Sequence, residues 1–178
     1  VQTIVGHDST FGRSIAVSDN GSYIAIGDDF ESDPSTQVTQ TGTIRIYQKQ
    51  TSGQYTFYQN IVDHHPETSG QFGYKIHFMN DFSTLVAYSK FGDAVETDTF
   101  DNSTTTFDKN STVFTTTRID SGRVDIYDRY VNKWVWSETL KNDSQEKDGY
   151  GTGFAVGTNQ IFVGAPYTST VLSNDGKI

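Results

Sequence analysis

The chain has 178 residues and a formal charge of -9, from 13 basic and 22 acidic side chains, and 34% of its residues are apolar. This balance excludes the basic footprint that nucleic-acid binding needs. No apolar run reaches the roughly 18 residues of a membrane-spanning helix, and with no cysteine there are no disulfides, thiolate chemistry or cysteine zinc sites.

In chain order, Val1–Ile4 is expected as a strand, the last of a preceding blade, ahead of the aromatic-glycine pair Phe11-Gly12. Two strands are predicted next, over Arg13–Val17 and Tyr23–Gly27, joined through Asn20-Gly21, the strongest short hairpin signal. A loop with four carboxylates (Asp28, Asp29, Glu31, Asp33) follows, then a glycine-led strand, Gly42–Tyr47, and a further strand, Tyr55–Ile61. The same series begins again at Phe72-Gly73, with strands ending at Phe78 and Tyr88, then Gly122–Tyr127 and Trp134–Leu140. It begins a third time at Tyr150-Gly151, with strands ending at Val156 and Gly164 and a glycine-led start at Gly176. Helical periodicity is absent throughout, so the chain reads as an all-β repeat protein.

Alternation supports the strands independently. Ile44 and Ile46, then Val124 and Ile126, share one face, with Arg45 and Asp125 on the other, the pattern of a half-exposed strand. The runs nearest the aromatic-glycine pairs, such as Ile24-Ala25-Ile26 and Phe162-Val163-Gly164, are apolar on both faces and are expected to be covered on both. Four-stranded antiparallel units with buried inner and half-exposed outer strands point to β-propeller blades, about two and a half of them. The alternative architecture is a stacked sandwich. The unit boundaries fall at 1–54, 55–133 with a long insertion over 89–121, and 134–178. Ile178 stands two residues into a glycine-led strand, so the expectation is a section of a longer chain, or several copies that close a ring together.

The aromatic-glycine starts and Gly164-Ala165-Pro166 resemble the FG-GAP repeat of integrin-α-like β-propellers; Gly27-Asp28-Asp29 keeps only the glycine and Tyr88-Ser89-Lys90 departs from it. The resemblance implies extracellular adhesion or assembly contexts. Such repeats often hold calcium in the hairpin turn, but Ser18–Ser22, Met79–Ser83 and Gly157–Asn159 lack alternating oxygen ligands, so no metal and no cofactor is expected. In this metal-poor form the chain resembles propeller modules of phage tail or baseplate proteins and other virion proteins.

Candidate contact residues lie in the long insertion: Phe91, Asp93, Glu96, Phe100, Phe107 and Phe114, with Val113–Thr117 able to form an extra β-arm. The 28–33 loop reads as a solvated acidic loop, with calcium as the competing reading. His64-His65 reads as a surface turn and His77 as a packed or edge imidazole. Trp134 and Trp136 share a strand face and either fill the gap between units or offer a sugar-stacking platform. Gly149–Gly153 opens a strand rather than a helix and reads as a tight turn, not a phosphate cradle. There is no Gly-x-Ser-x-Gly elbow, whereas the loop carboxylates leave a glycosidase-like pair open. Asn20, Asn102, Asn110 and Asn142 each begin an Asn-x-Ser/Thr triplet, with glycosylation undecided. The expected function is a non-catalytic structural or binding module at an extracellular or virion surface. Its expected partners are other protein subunits, with surface glycans as a further class. A cell-surface adhesin and a polysaccharide-acting enzyme are the alternatives.

Overall fold

The computed structural model describes residues 1–6, 9–32, 38–80, 82–92, 94–99, 113–118, 122–140, 149–167, 169–170 and 173–174. It is all-β, with no helix among these residues. The first sheet joins β1 (Ser14–Val17), β2 (Tyr23–Asp28), β3 (Thr43–Lys49) and β4 (Tyr55–Val62) in chain order. The second joins β5 (Lys75–Met79), β6 (Thr84–Ser89), β9 (Arg123–Tyr130) and β10 (Lys133–Thr139) in the same sense. Between β6 and β9 the chain makes a separate hairpin of β7 (Ala94–Thr99) and β8 (Val113–Arg118). A third unit holds the hairpin of β11 (Gly153–Val156) and β12 (Ile161–Gly164), then a short ladder of β13 (Ser169–Thr170) and β14 (Ser173–Asn174). Every pairing is antiparallel.

The two large sheets match in detail. Tyr47 pairs with Phe57 and Tyr127 with Trp136, and in each case the outer strand bulges immediately afterwards, at Tyr58 and at Ser137. The sheets run across positions 54/55 and 133/134, so β4 closes the first sheet and β10 the second. Gly53, at φ 84°, turns β3 tightly back into β4. Val1–Ile4 forms no strand. Instead the Gln2 side chain imitates a strand partner, accepting from the Tyr55 N–H and donating to the Tyr55 carbonyl at 2.7 Å each. The turn at Asn20-Gly21 is longer than a two-residue hairpin. Only Gly21 takes positive φ, and the Asn20 side-chain oxygen accepts from the Ser22 N–H at 2.8 Å.

Burial departs from simple alternation in two places. The central strands β2 and β6 are covered on both faces, as the sequence indicates, but Phe162 of β12 is exposed on its outer side. Strands β3 and β9 are buried on both faces because Arg45 and Asp125 lie within ion clusters rather than in solvent.

The sheets stack face to face, first strand on first strand (β1 on β5) and outer strand on outer strand (β4 on β10). Ala25, Ile44 and Ile46 of the first sheet meet Phe72, Phe78, Leu85 and Trp134 of the second in one apolar core. On the far side of the second sheet, Val86, Tyr88 and Val124 pack against Phe154, Val156, Ile161 and Val163 of the third unit. Burying one such aliphatic or aromatic side chain stabilises by about 1.5–3 kcal/mol.

Glycines set the spacing of this stack. Gly42 and Gly122, at φ 86° and 83°, stand just before β3 and β9 and receive the backbone of the next aromatic-glycine turn. A methyl group on Gly42 would lie 2.0 Å from the Phe72 carbonyl oxygen, and one on Gly122 would lie 2.2 Å from that of Tyr150. Gly12, at φ 91°, has no described atom within 4 Å of the same point. Alanine at Gly12 therefore costs only the left-handed backbone penalty, about 1–2 kcal/mol. Alanine at Gly42 adds an overpacking cost of about 1–3 kcal/mol. Urea unfolding of the two variants checks this, and equal losses would show that the seat at Gly42 is not tight.

Candidate functional site

The most highly organised polar region lies between the first and second sheets, around Arg123. This residue opens β9 directly after Gly122, and its side chain is fully buried. Its Nε donates to Asp125 Oδ2 at 2.8 Å. Nη1 donates to Glu67 Oε1 at 3.0 Å and to the His65 carbonyl at 3.3 Å, and Nη2 donates to Asp63 Oδ1. Thr139 of β10 closes the far side, donating to Asp125 Oδ1. One guanidinium thus ties the segment after β4 to β9, and through Asp125 to β10.

Three carboxylates surround that single buried cation. Burial pushes the Asp63 carboxyl up to about 6; the neighbouring Arg123 offsets part of the rise, and Asp125 adds to it. For Arg123, burial works against the charged form, but Asp125 and Asp63 outweigh it and hold the guanidinium charged. Burial lowers the His65 imidazole, assisted by Arg123 and His64. Burial likewise raises the Tyr127 phenol well above its usual range, with Asp125 and Asp63 acting in the same direction. A carboxyl that takes up a proton near neutrality has the acidity of a general acid. Asp63, however, is buried and grips Arg123, so it meets no solvent-borne substrate.

The first sheet carries a related cluster at the matching level. Arg45 pairs with Glu31 and lies 3.8 Å from Asp28 Oδ2. Thr43 donates to Glu31 Oε2 at 2.5 Å, and Thr10 donates to Asp28 Oδ1 at 2.7 Å. Asp29 is buried beside Arg13 at 3.8 Å, and burial raises its carboxyl despite that cation. The solvated acidic loop expected here is therefore corrected for these residues. Asp28 ends a central strand, opposite Thr43 and beside Arg45, and its neighbours are drawn inward with it. Asp33 lies outside the described residues. Among the described residues no group of three or more His, Asp or Glu side chains is placed to hold a metal ion.

Trp134 fills the inter-sheet gap. Its ring lies 5.0 Å from Tyr23 and 5.8 Å from Phe78, and its Nε1 donates to the Phe82 carbonyl at 3.2 Å. Gln59 of β4 accepts from the Trp134 N–H at 2.9 Å and donates to its carbonyl at 2.7 Å. Arg129 spreads its guanidinium over Tyr23, Phe82 and Trp134. Trp136 sits at the rim, where His64 stacks on it at 3.9 Å and 11°. The histidine pair is thus a surface turn with a use: His64 covers Trp136, while His65 lends its carbonyl to Arg123. His77 is exposed on the edge strand β5.

Of the insertion candidates, Phe91 is exposed, with the Lys90 ammonium 4.7 Å above its ring. Glu96 pairs with Thr116 in the β7–β8 ladder, and Phe114 with Asp98, so the extra β-arm is present. Asp93, Phe100 and Phe107 lie outside the described residues. So do the triplets at Asn102, Asn110 and Asn142; at Asn20 the side-chain oxygen is engaged within its turn. The Arg123, Gln59 and Arg129 contacts have no local sequence signal, since their cross-sheet partners lie between 56 and 106 residues away.

The chain matches no protein-family model and no curated protein sequence.

A folded-state pKa near 6 against 3.8 for an ordinary Asp means that the native state binds the extra proton between those values. The contribution of Asp63 to stability is greatest below that window and falls as pH rises through it. Asp63→Asn, which does not titrate and still accepts from Arg123, gains on the parent chain as pH rises from 4 to 7. Thermal unfolding across that range measures the gap. A gap that stays constant, or moves in favour of the parent, would mean that Arg123 and not burial governs Asp63.

Proposed function

We propose that this chain is a non-catalytic structural and binding module of β-propeller type, its sheets acting as blades, within a larger surface or virion assembly. The observation that carries this reading is the repeated seat between consecutive units. Gly42 holds the Phe72-Gly73 turn and Gly122 holds the Tyr150-Gly151 turn, and between the first two sheets first strand lies on first strand and outer strand on outer strand. Sheets stacked in this sense pack radially about their first strands, as blades do. A two-layer sandwich has no reason to repeat the seat on both faces of its second sheet. The FG-GAP resemblance fits the same reading, because its aromatic-glycine mark is the part that enters the seat.

Two further features favour binding over catalysis. The buried carboxylates Asp63 and Asp125 are held by Arg123 within the sheet stack, where no substrate reaches them. The β7–β8 arm leaves the second sheet between β6 and β9 as a ladder of its own, the position from which an insertion can reach a neighbouring subunit. Other protein subunits are the proposed partners, at an extracellular or virion surface. Phage tail or baseplate proteins are the example we favour.

Electron cryo-microscopy of the intact source assembly tests the proposal. The expected map shows this chain as neighbouring blades of one ring, with the β7–β8 arm seated on an adjoining subunit. A free chain that releases reducing sugar from polysaccharide would overturn it in favour of an enzyme.

A further inference from the structure

The Arg123 cluster reaches the surface along the outer seam of the first two sheets, where β4 lies against β10. What it holds there is an aromatic platform. Trp134 and Trp136 share the face of β10 that turns toward the first sheet. Trp134 is buried in the apolar core, whereas Trp136 is 38% exposed at the rim.

The indole of Trp136 is fixed in place. Its Nε1 donates to Thr139 Oγ1 at 3.4 Å, and that hydroxyl donates in turn to Asp125 of the cluster. His64 lies flat on one side of the ring, with 3.9 Å between centroids and 11° between planes. The segment that carries His64 is held as well. Asp63 accepts from Arg123 Nη2 and from the His65 N–H, and the His65 carbonyl accepts from Arg123 Nη1. One buried guanidinium thus positions both the indole and the imidazole that covers it. A ring already held in one orientation loses little freedom when a ligand settles on it.

The surroundings of the ring offer hydrogen bonds. His64 and His65 are exposed, and neither imidazole makes a hydrogen bond to another described residue. A neutral imidazole donates at one nitrogen and accepts at the other. The register of β10 shifts immediately after Trp136, so Ser137 stands in a bulge on the outer strand of the sheet. A bulge leaves its extra residue out of the ladder, with main-chain groups open to a ligand. Charge narrows the choice of ligand. The chain carries a net charge of -9, and Glu67 lies in the same segment as the histidines, which works against anions.

We propose that Trp136, backed by His64, is the platform of a binding site for a neutral oligosaccharide. A pyranose ring presents a face of C–H groups to the side of the indole that His64 leaves open. Its hydroxyls, and those of the next sugar along, meet His65 and the main chain at Ser137. A nucleotide would also bring a flat ring, but its phosphates are repelled by an acidic chain. Trp136 makes the contact, and His64 is a positioning residue that keeps the indole flat. The site depends on the inter-sheet cluster and not on the surface or virion setting proposed above.

The test is titration of the 178-residue chain with cellohexaose, chitohexaose and maltohexaose, with hexagalacturonate as the charged counterpart, followed by tryptophan fluorescence. At least one neutral hexasaccharide is expected to bind with a Kd of about 1 mM or tighter. Trp136→Ala is expected to weaken that binding about tenfold or more, as loss of a central aromatic anchor does. His64→Ala is expected to weaken it by a smaller factor and to increase quenching of Trp136 by iodide, a change that loss of stability alone does not give. Circular dichroism and thermal unfolding establish that both variants keep the parent fold. The parent chain supplies a readout that needs no variant. N-bromosuccinimide oxidises the exposed Trp136 ahead of the buried Trp134, and a bound hexasaccharide slows that oxidation. No binding of any neutral hexasaccharide at about 10 mM would overturn the proposal. So would binding that survives Trp136→Ala, binding that leaves the oxidation of Trp136 unchanged, or binding of hexagalacturonate alone. Each of these failures leaves the module reading standing, because that reading is carried by the glycine seats between units.

Discussion

A carbonyl oxygen can press against another backbone only where no Cβ intervenes, and that requirement organises this molecule. At Gly42 and at Gly122 the aromatic-glycine turn of the next unit lies where a side chain would have to be. Both glycines sit at positive φ, a region that other residues reach only at a cost. Seating the turn in this way puts Phe72 into the core and starts β5 along β1. It also places Thr43 and Arg123, the residues after each glycine, at the level where the ion clusters form. The spacing of the sheets, the burial of the aromatic residue and the depth of the charges all follow from two positions without side chains.

Apolar faces alone would hold two sheets together without fixing how they slide. The Arg123 cluster resists sliding, because it needs contributions from both units. Arg123 of β9 must meet Asp63 and Glu67 beyond β4, and a displacement of one residue would leave several buried charges unmatched. Leaving one partner of a buried pair alone costs about 3–5 kcal/mol. The first sheet builds its cluster within its own unit and with different residues: Arg45 stands where the second sheet has Asp125, and Thr43 where it has Arg123. The clusters differ in composition while the strand register is shared. Charge placement is therefore variable between units, and the glycine seat is not. Three carboxylates around one guanidinium is an uneven arrangement; burial first, with Asp125 adding to it, makes Asp63 a weaker acid than an ordinary aspartate.

Local pattern carried most of the strands. Alternation at Ile44 and Ile46 and at Val124 and Ile126, and the glycine marks at fixed offsets, are properties of short windows, and the sheets follow them. What alternation reports is which side chains share a face, not what covers that face. Asp125, on the polar side of its strand, is nonetheless fully buried, and Arg45 is largely withdrawn from solvent, because their partners arrive from other segments. The same limit applies to Asp28 and Asp29, which look like loop acids until the end of β2 is placed beside Arg45 and Arg13. Val1–Ile4 has the composition of a strand but forms none, and a single side chain, Gln2, makes the two hydrogen bonds to Tyr55. His64 on Trp136 joins positions 72 residues apart, a contact that only the tertiary fold creates.

A stack of sheets is nearly one-dimensional, and its energetics depend on position in the series. The second sheet has both faces covered, by the first sheet and by the β11–β12 hairpin, so Val86 and Leu85 on opposite faces of β6 are equally buried. The first sheet has apolar residues on both faces but, among the described residues, a neighbouring sheet on only one. Natural sequences seldom keep Ile15, Val17 and Phe57 on one exposed surface without a reason, since a contiguous apolar patch invites association. Ile15 and Val17 stand at the positions that Ile76 and Phe78 occupy in the second sheet, where contact with the first sheet buries them. The repeat thus keeps the same positions apolar in both sheets, while their burial depends on the neighbour each sheet has.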